Sequence, residues 1–140
     1  MFHKVLVALD GSAGARRALE AALQIVREQD LALWIVSVEE DLPRYVATQD
    51  EIDAERERAD RYASSIQEQA ATLAERQGTP AHREVLIGHP AKQIVDYAGR
   101  GGFDLLVIGH SGHSNLWGGF LGTNADKIVR HAPCTVMVVR

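Results

Sequence analysis

The sequence is poor in the features that mark secreted or membrane-spanning chains. Its 140 residues contain a single cysteine, Cys134, which excludes an internal disulfide. Cys134 lies between Pro133 and an apolar run, a setting typical of a buried structural thiol. No window approaches the ~18 apolar residues that a membrane span needs, and the opening MFHKVLVALD lacks a long apolar core and a cleavage site of small residues. A cytoplasmic location without a membrane span is therefore expected.

The sequence also lacks an excess of positive charge. Lys and Arg number 15 against 19 Asp and Glu, which gives a formal net charge of -4. Proteins that bind nucleic acids usually present a basic face, so this balance argues against such a role. Hydrophobic residues at 46% and charged residues at 24% are ordinary for a soluble globular protein. The length suits one core, and no repeat or linker divides it, so one domain over residues 1–140 is expected.

What the sequence does contain is a series of short, almost wholly apolar runs. They cover Val5 to Leu9, Leu33 to Val38, Leu105 to Ile108 and Thr135 to Val139, and a weaker run covers Arg83 to Ile87. Strands have this composition when helices cover both faces of a parallel sheet. Helical patterns separate the runs, so the sequence predicts a doubly wound α/β domain.

The helical segments have recognisable starts. The first begins near Ser12, a good N-cap, the second spans roughly Asp50 to Gln77, the third follows Gly88-His89-Pro90, and the fourth begins near Gly122-Thr123-Asn124. The long second helix carries an apolar stripe that we expect to face the core. The stripe consists of Ile52, Ala59, Tyr62, Ile66, Ala70 and Leu73.

A glycine-rich segment, GHSGHSNLWGGFLGTN from Gly109 to Asn124, connects a predicted buried strand to the fourth helix. Ligands of open α/β sheets bind at the carboxyl ends of strands, and glycines let backbone amides approach an anion. No Lys or Arg lies between Gly109 and Asp126, so phosphates held here would rely on amides, hydroxyls and a divalent cation. A flexible surface loop is the alternative. The position before a helix start favours binding.

The spacing inside this segment resembles the universal stress protein family. Members of its ATP-binding branch carry Gly, two residues, Gly, nine residues, and then Gly followed by Ser or Thr. Gly109, Gly112 and Gly122-Thr123 meet that spacing. The strings VLVALDGS, DLLVIG and APCTVMVV, with the Gly88-x-Pro90 entry to the third helix, extend the resemblance over essentially the whole chain.

The resemblance implies a Rossmann-like, adenine nucleotide alpha hydrolase-like fold: a five-stranded parallel sheet of order 3-2-1-4-5, with helices on both faces and ATP over the first and fourth strand ends. Asp10 would contact the sugar side of ATP or a bound Mg²⁺, and Val38 would meet the adenine. The last strand, Thr135 to Val139, would pair with its copy in a homodimer. The implied nucleotide-binding residues are Ala8, Leu9, Asp10, Val38, Ile108, Gly109, His110, Gly112, His113, Gly122, Thr123 and Asn124.

Three kinds of function are compatible with these residues. The preferred interpretation is an ATP-binding stress-response module whose segments Glu39 to Gln49 and Gly109 to Gly122 change shape for a protein partner. An interaction module without nucleotide is the second. His110-Ser111-Gly112-His113 matches the H-x-G-H string of nucleotidylyltransferases, but there the string follows the first strand. Enzyme chemistry is therefore expected to reach slow ATP hydrolysis or autophosphorylation at most, and no catalytic residue is assigned.

Overall fold

The computed structural model describes residues 1–40, 48–111 and 121–140. Strands and helices alternate along the chain as the apolar runs and helical patterns predicted, with bounds that differ from the expected ones by a residue or two. The elements are β1 (Val5–Ala8), α1 (Ala13–Glu28), β2 (Leu33–Glu39), α2 (Gln49–Arg76), β3 (Ala81–Ile87), α3 (Pro90–Arg100), β4 (Leu105–Gly109), α4 (Thr123–His131) and β5 (Thr135–Val139).

The strands form a parallel sheet in the order β3-β2-β1-β4-β5, which confirms the predicted order. β1 lies in the middle, where Val5 is paired with Leu33 of β2 on one side and with Leu105 of β4 on the other. Strand order therefore reverses between β1 and β4. Open α/β sheets bind their ligands at such a switch point, off the carboxyl ends of the strands.

Helices cover both faces of the sheet, which confirms the doubly wound architecture. On one face, Val7 of β1 lies in a core cluster with Leu23 of α1 and with the C-terminal half of α2. On the other face, the neighbouring Leu6 lies in a cluster with Ile94 of α3 and with α4. Successive residues of a strand thus enter opposite cores, because side chains alternate across a sheet. Along the described ranges, no helix is both long and apolar enough to cross a membrane.

The long helix α2 follows the predicted stripe only in part: Ala70 is buried and Ile66 packs against the core, but other positions differ. Tyr62 was expected to face the core, but it is 54% exposed, so that prediction is wrong. Gln67 is buried instead, and its Nε2 donates to the carbonyl of Glu84 in β3 at 2.7 Å, which gives the buried nitrogen a protein partner. The small buried alanines let α2 lie close to the sheet. The buried residues of α2 are Ala63, Gln67, Ala70 and Ala74.

Gly99 allows a test of the packing at the C-terminal turn of α3. A β-carbon built on Gly99 would lie 3.6 Å from Cγ of Pro133, an ordinary van der Waals distance. Because alanine favours the helical conformation more than glycine does, we expect Gly99→Ala to raise the free energy of unfolding by about 0.5–1 kcal/mol. Urea denaturation followed by circular dichroism measures this change. If Gly99→Ala is less stable than the wild type, Gly99 does not have the helical conformation of α3.

Candidate functional site

The predicted binding residues that the structure describes come together at the carboxyl edge of the sheet. β1 ends at Ala8, and the N–H of Leu9 donates to the carbonyl of Val36 in β2 at 2.9 Å. Val38 is the penultimate residue of β2, and Gly109 is the last residue of β4. Parallel strands all end at the same edge, so segments from the two ends of the sequence meet around the switch point.

The turn after β1 is held by hydrogen bonds on two sides. Oδ1 of Asp10 accepts from the N–H of Ser12 at 2.9 Å, and the Ser12 hydroxyl caps α1 by accepting from the N–H of Ala15 at 3.1 Å. From α2, the hydroxyl of Tyr62 donates to the carbonyl of Asp10 at 3.2 Å. Gly11 has φ +84°, a left-handed conformation that favours glycine. The exposed carboxylate of Asp10 is therefore held on a well-defined turn.

The exit from β4 is joined both to β5 and to the start of α4. The N–H of His110 donates to the carbonyl of Val139 at 2.8 Å, and the carbonyl of His110 accepts from the N–H of Gly122 at 2.9 Å. The two ends of the glycine-rich segment thus meet above β4. Gly112 and His113, two of the predicted binding residues, lie outside the described residues.

The start of α4 lacks the side-chain cap that α1 has. Gly122 is its N-cap, and no side chain of the described residues accepts from the first turn. The first helical hydrogen bond runs from the N–H of Asp126 to the carbonyl of Gly122 at 2.8 Å. The backbone N–H groups of Thr123 and Asn124 precede that bond, and both residues are exposed. This arrangement suits an anion, because the positive end of the helix dipole faces the same edge of the sheet.

Gly109 has a packing role that the sequence interpretation missed. A β-carbon built on it would lie 2.7 Å from the carbonyl carbon of Gly14 and 3.1 Å from the backbone nitrogen of Ala15. The first turn of α1 therefore packs directly on the end of β4. Gly14 is required for the same reason, because a β-carbon there would collide with the carbonyl oxygen of Ser111. Two glycines far apart in sequence on facing elements were the available signal, but nothing in the sequence pairs them.

A buried polar cluster lies beside the site, at the end of β2. Glu39 is 7% exposed, and its Oε2 lies 3.6 Å from Nη1 of Arg56 in α2, too far for a direct hydrogen bond. Burial raises the pKa of the Glu39 carboxyl, the nearby Asp60 raises this pKa further, and Arg56 opposes the shift. The hydroxyl of Ser37 is also buried without a partner among the described residues. The N-terminal half of α2 is therefore attached to the sheet through charged groups.

The surface has one groove near the carboxyl end of the sheet and another near its amino end. One groove starts at Leu9, Gly11 and Ser12 and runs between α1 and α2. A wider depression is lined by Gly78 and Arg83, at the amino end of β3. Its size does not make it the ligand site, because it lies at the opposite end of the strands from Asp10.

The side chains around the switch point include few metal ligands. Within residues 1–40, 48–111 and 121–140, no group of three or more His, Cys, Asp or Glu side chains converges. A divalent cation at Asp10 would therefore depend on oxygens that the ligand supplies. Cys134 is only half-buried, short of the predicted burial. Burial nevertheless raises the pKa of its thiol, which disfavours the reactive thiolate.

The site combines a strand switch point, a fixed carboxylate and a helix start without a side-chain cap. These features define a doubly wound α/β protein whose polar groups gather at the carboxyl edge of the sheet. The model of the universal stress protein family matches residues 1–140, and the chain belongs to that family.

Individual relatives agree with this assignment. Universal stress protein YxiE of Bacillus subtilis is 32% identical over 148 residues, and the match covers 100% of both chains. The solved structure of universal stress protein UspA from Lactobacillus plantarum has a TM-score of 0.85 at 26% identity, covering 99% of this chain and 97% of that one. A crystal structure of a universal stress protein in complex with cAMP has a TM-score of 0.76 at 25% identity, with the same coverage of each chain.

Proposed function

We propose that this protein binds an adenine nucleotide, ATP, at the carboxyl edge of its sheet and acts as a nucleotide-responsive regulatory module. The main support for this proposal is that the Asp10 turn, the end of β4 and the start of α4 converge at the switch point. The similarity to a universal stress protein in complex with cAMP supports an adenine nucleotide as the ligand.

The proposed roles follow from the position of each group. The adenine lies over Ala8, Leu9 and the backbone of Val38, where β1 and β2 end. The ribose and phosphates run past Ile108, Gly109 and His110 towards the amides at Thr123 and Asn124. Gly112 and His113 belong to the same proposed set, which the intact glycine spacing supports.

Asp10 is the proposed magnesium ligand. Mg²⁺ prefers oxygen ligands and is usually held by one or two carboxylates together with phosphate oxygens and water. The carboxylate of Asp10 accepts from the Ser12 N–H through Oδ1 and lies on the solvent-exposed turn after β1, at the carboxyl edge of the sheet. A bound Mg²⁺ would neutralise phosphate charge at a segment that has no Lys or Arg of its own.

The regulatory part of the proposal concerns the chain on either side of the site. Binding of a nucleotide would change the shape of the segments Glu39 to Gln49 and Gly109 to Gly122, and a cytoplasmic partner protein would read that change. β5 is an edge strand of mostly half-buried apolar residues, and pairing with a second copy would cover it. Because a ligand that binds the folded state stabilises it, the protein would also respond to the nucleotide concentration.

The proposed function is tested by releasing bound nucleotide from freshly purified protein with heat and identifying it by chromatography. Gly122→Val is the matched variant: Gly122 has φ -61° and ψ 155°, which valine tolerates, so the change adds bulk at the helix start without backbone strain. We expect a near-stoichiometric ATP peak from the wild type and at least about a tenfold loss of ATP affinity in the variant.

The control is the melting temperature of each protein after its bound nucleotide has been removed, which should differ little between wild type and variant. ATP and Mg²⁺ should then raise the melting temperature of the wild type by more than that of Gly122→Val at the same ATP concentration. A wild type that carries no nucleotide and shows no thermal shift with ATP, ADP, AMP or cAMP would overturn the proposal and favour an interaction module.

A further inference from the structure

Arg17 on α1 lies beside the exit from β4, although it is remote from the glycine-rich segment in sequence. A β-carbon built on Gly14 would lie 3.8 Å from Nη2 of Arg17 and against the carbonyl oxygen of Ser111. Both groups therefore border the same point above the first turn of α1. Long side chains in helices lean towards the N-terminus, which is how Arg17 reaches back over Gly14.

The two neighbouring arginines of α1 differ in their partners. Nε of Arg16 lies 3.4 Å from Oε1 of Glu20, one turn along the helix, and Arg16 lines the groove between α1 and α2. Arg17 makes no ion pair or side-chain hydrogen bond with any residue in the described ranges. The exposed guanidinium of Arg17 therefore has its hydrogen-bonding capacity available on the side that faces Ser111.

The distribution of charge around the site suggests a role for the positive charge of Arg17. From Gly109 to Asp126 the chain contributes no Lys or Arg, while Asp10 adds a negative charge at the same edge. A ligand with several phosphate groups would meet amides and a carboxylate but no cation from the segment itself. Arginine suits this task because its planar guanidinium donates several hydrogen bonds to phosphate oxygens and stays charged.

We propose that Arg17 is the cationic phosphate-recognition residue of this site and that it makes the protein prefer nucleotides with several phosphate groups. The proposal rests on the proposed nucleotide-binding function. It assigns the discrimination between ATP and less charged adenine compounds to a residue outside the glycine motif.

The test compares Arg17→Gln with Arg27→Gln, the same change in the last turn of α1, at the end of the helix that is remote from the site. Calorimetric titrations with ATP, AMP, adenosine and inorganic tripolyphosphate are run at low and at high salt. For Arg17→Gln we expect about a fivefold loss of ATP and tripolyphosphate affinity at low ionic strength, less for AMP and none for adenosine. Arg27→Gln should match the wild type with all four compounds.

The outcomes separate this inference from the function on which it rests. Equal losses of ATP and adenosine affinity in Arg17→Gln would identify a structural role and overturn the inference, as would an unchanged preference for ATP over adenosine. If the wild type binds tripolyphosphate through Arg17 but no adenine compound, the proposed nucleotide function fails and the anion-binding role of Arg17 stands. A wild type that binds none of the four compounds overturns both.

Discussion

Replacing Gly109 by alanine is expected to lower the free energy of unfolding by about 1–3 kcal/mol, because the added methyl group has no space. Its nearest neighbours would be the backbone of Gly14 and Ala15, at distances as short as 2.7 Å, and backbone atoms yield only if α1 moves away from β4. The movement would also displace the Asp10 turn, so affinity for ATP should fall together with stability. Denaturant titration and nucleotide calorimetry on the same preparation measure both effects.

The matched control is Gly99→Ala, for which the same chemical change is expected to stabilise the protein. Opposite signs for the two glycines would locate the cost at the contact between α1 and β4 rather than in glycine replacement generally. Full stability of Gly109→Ala would show that α1 does not pack on the end of β4. Loss of nucleotide affinity without loss of stability would instead indicate that Gly109 serves only the ligand.

Replacing Arg56 by methionine is expected to destabilise the protein by about 1–3 kcal/mol near pH 8, because the buried carboxylate of Glu39 would lose its cationic neighbour. Arg56 is 33% exposed along its side chain, so solvent screens part of the interaction. Arg58→Met is the control, since Arg58 pairs with Glu55 on the exposed side of α2. That substitution should change stability by no more than about 0.5 kcal/mol.

The effect of Arg56→Met should depend on pH in a defined direction. Burial raises the pKa of Glu39 in the folded protein above its ordinary value of 4.5. A carboxyl group whose pKa is raised by folding contributes to the free energy of unfolding. This contribution is fully present below the pKa of the group in the unfolded chain, and it is lost as the pH rises through its pKa in the folded protein. Without Arg56 this pKa rises further, so the gap in stability between wild type and variant should widen from pH 5 to pH 8.

Urea denaturation of the wild type, Arg56→Met and Arg58→Met between pH 5 and pH 8 measures how the free energy of unfolding depends on pH. Glu39→Gln removes the titrating group, so adding Arg56→Met to it should give a loss of stability that no longer varies between pH 5 and pH 8. A constant gap in the single variant Arg56→Met would contradict ionisation of Glu39 as the cause.

The fold could be predicted from the sequence because its signals are local. The run around Leu105 is apolar on nearly every residue and is flanked by helical patterns, which is what a strand buried on both faces requires. Ser12 was predicted to begin α1, and it accepts from the N–H of Ala15 as an N-cap does. The strand order came from the family resemblance, since several orders satisfy the same alternation of elements.

The buried side of α2 could be predicted only in part: Ala70 of the stripe is buried, but apolar periodicity gives no weight to an amide side chain. Tyr62 fits an apolar stripe, yet its hydroxyl satisfies a backbone carbonyl near the surface. Gln67 looks like a surface residue, but the edge strand β3 offers it a carbonyl. Both positions are decided by partners on other elements, which a helical pattern does not contain.

The sequence predicted the residues of the candidate site that belong to the glycine motif. It did not predict the residues whose role depends on contacts between distant parts of the chain. Gly109 and Gly122 belong to the motif, whereas Gly14 and Arg17 read as ordinary helix residues in the sequence. Their roles depend on Ser111 lying over the first turn of α1. The charged pair of Glu39 and Arg56 was likewise hidden, because it joins the end of a strand to a helix across the segment 40–48.

The pairing of β1 with β4 has a consequence for biosynthesis. Val5 lies beside Leu105, and the carboxylate of Asp104 accepts from the N–H groups of His3 at 2.8 Å and Lys4 at 3.0 Å. A ribosome that has reached α3 has produced the Asp10 turn but not the strand that completes its surroundings. Such a nascent chain has one side of its central strand unpaired. If the protein binds nucleotide as proposed, a product terminated before β4 lacks part of the site, and added nucleotide should not protect it from proteolysis.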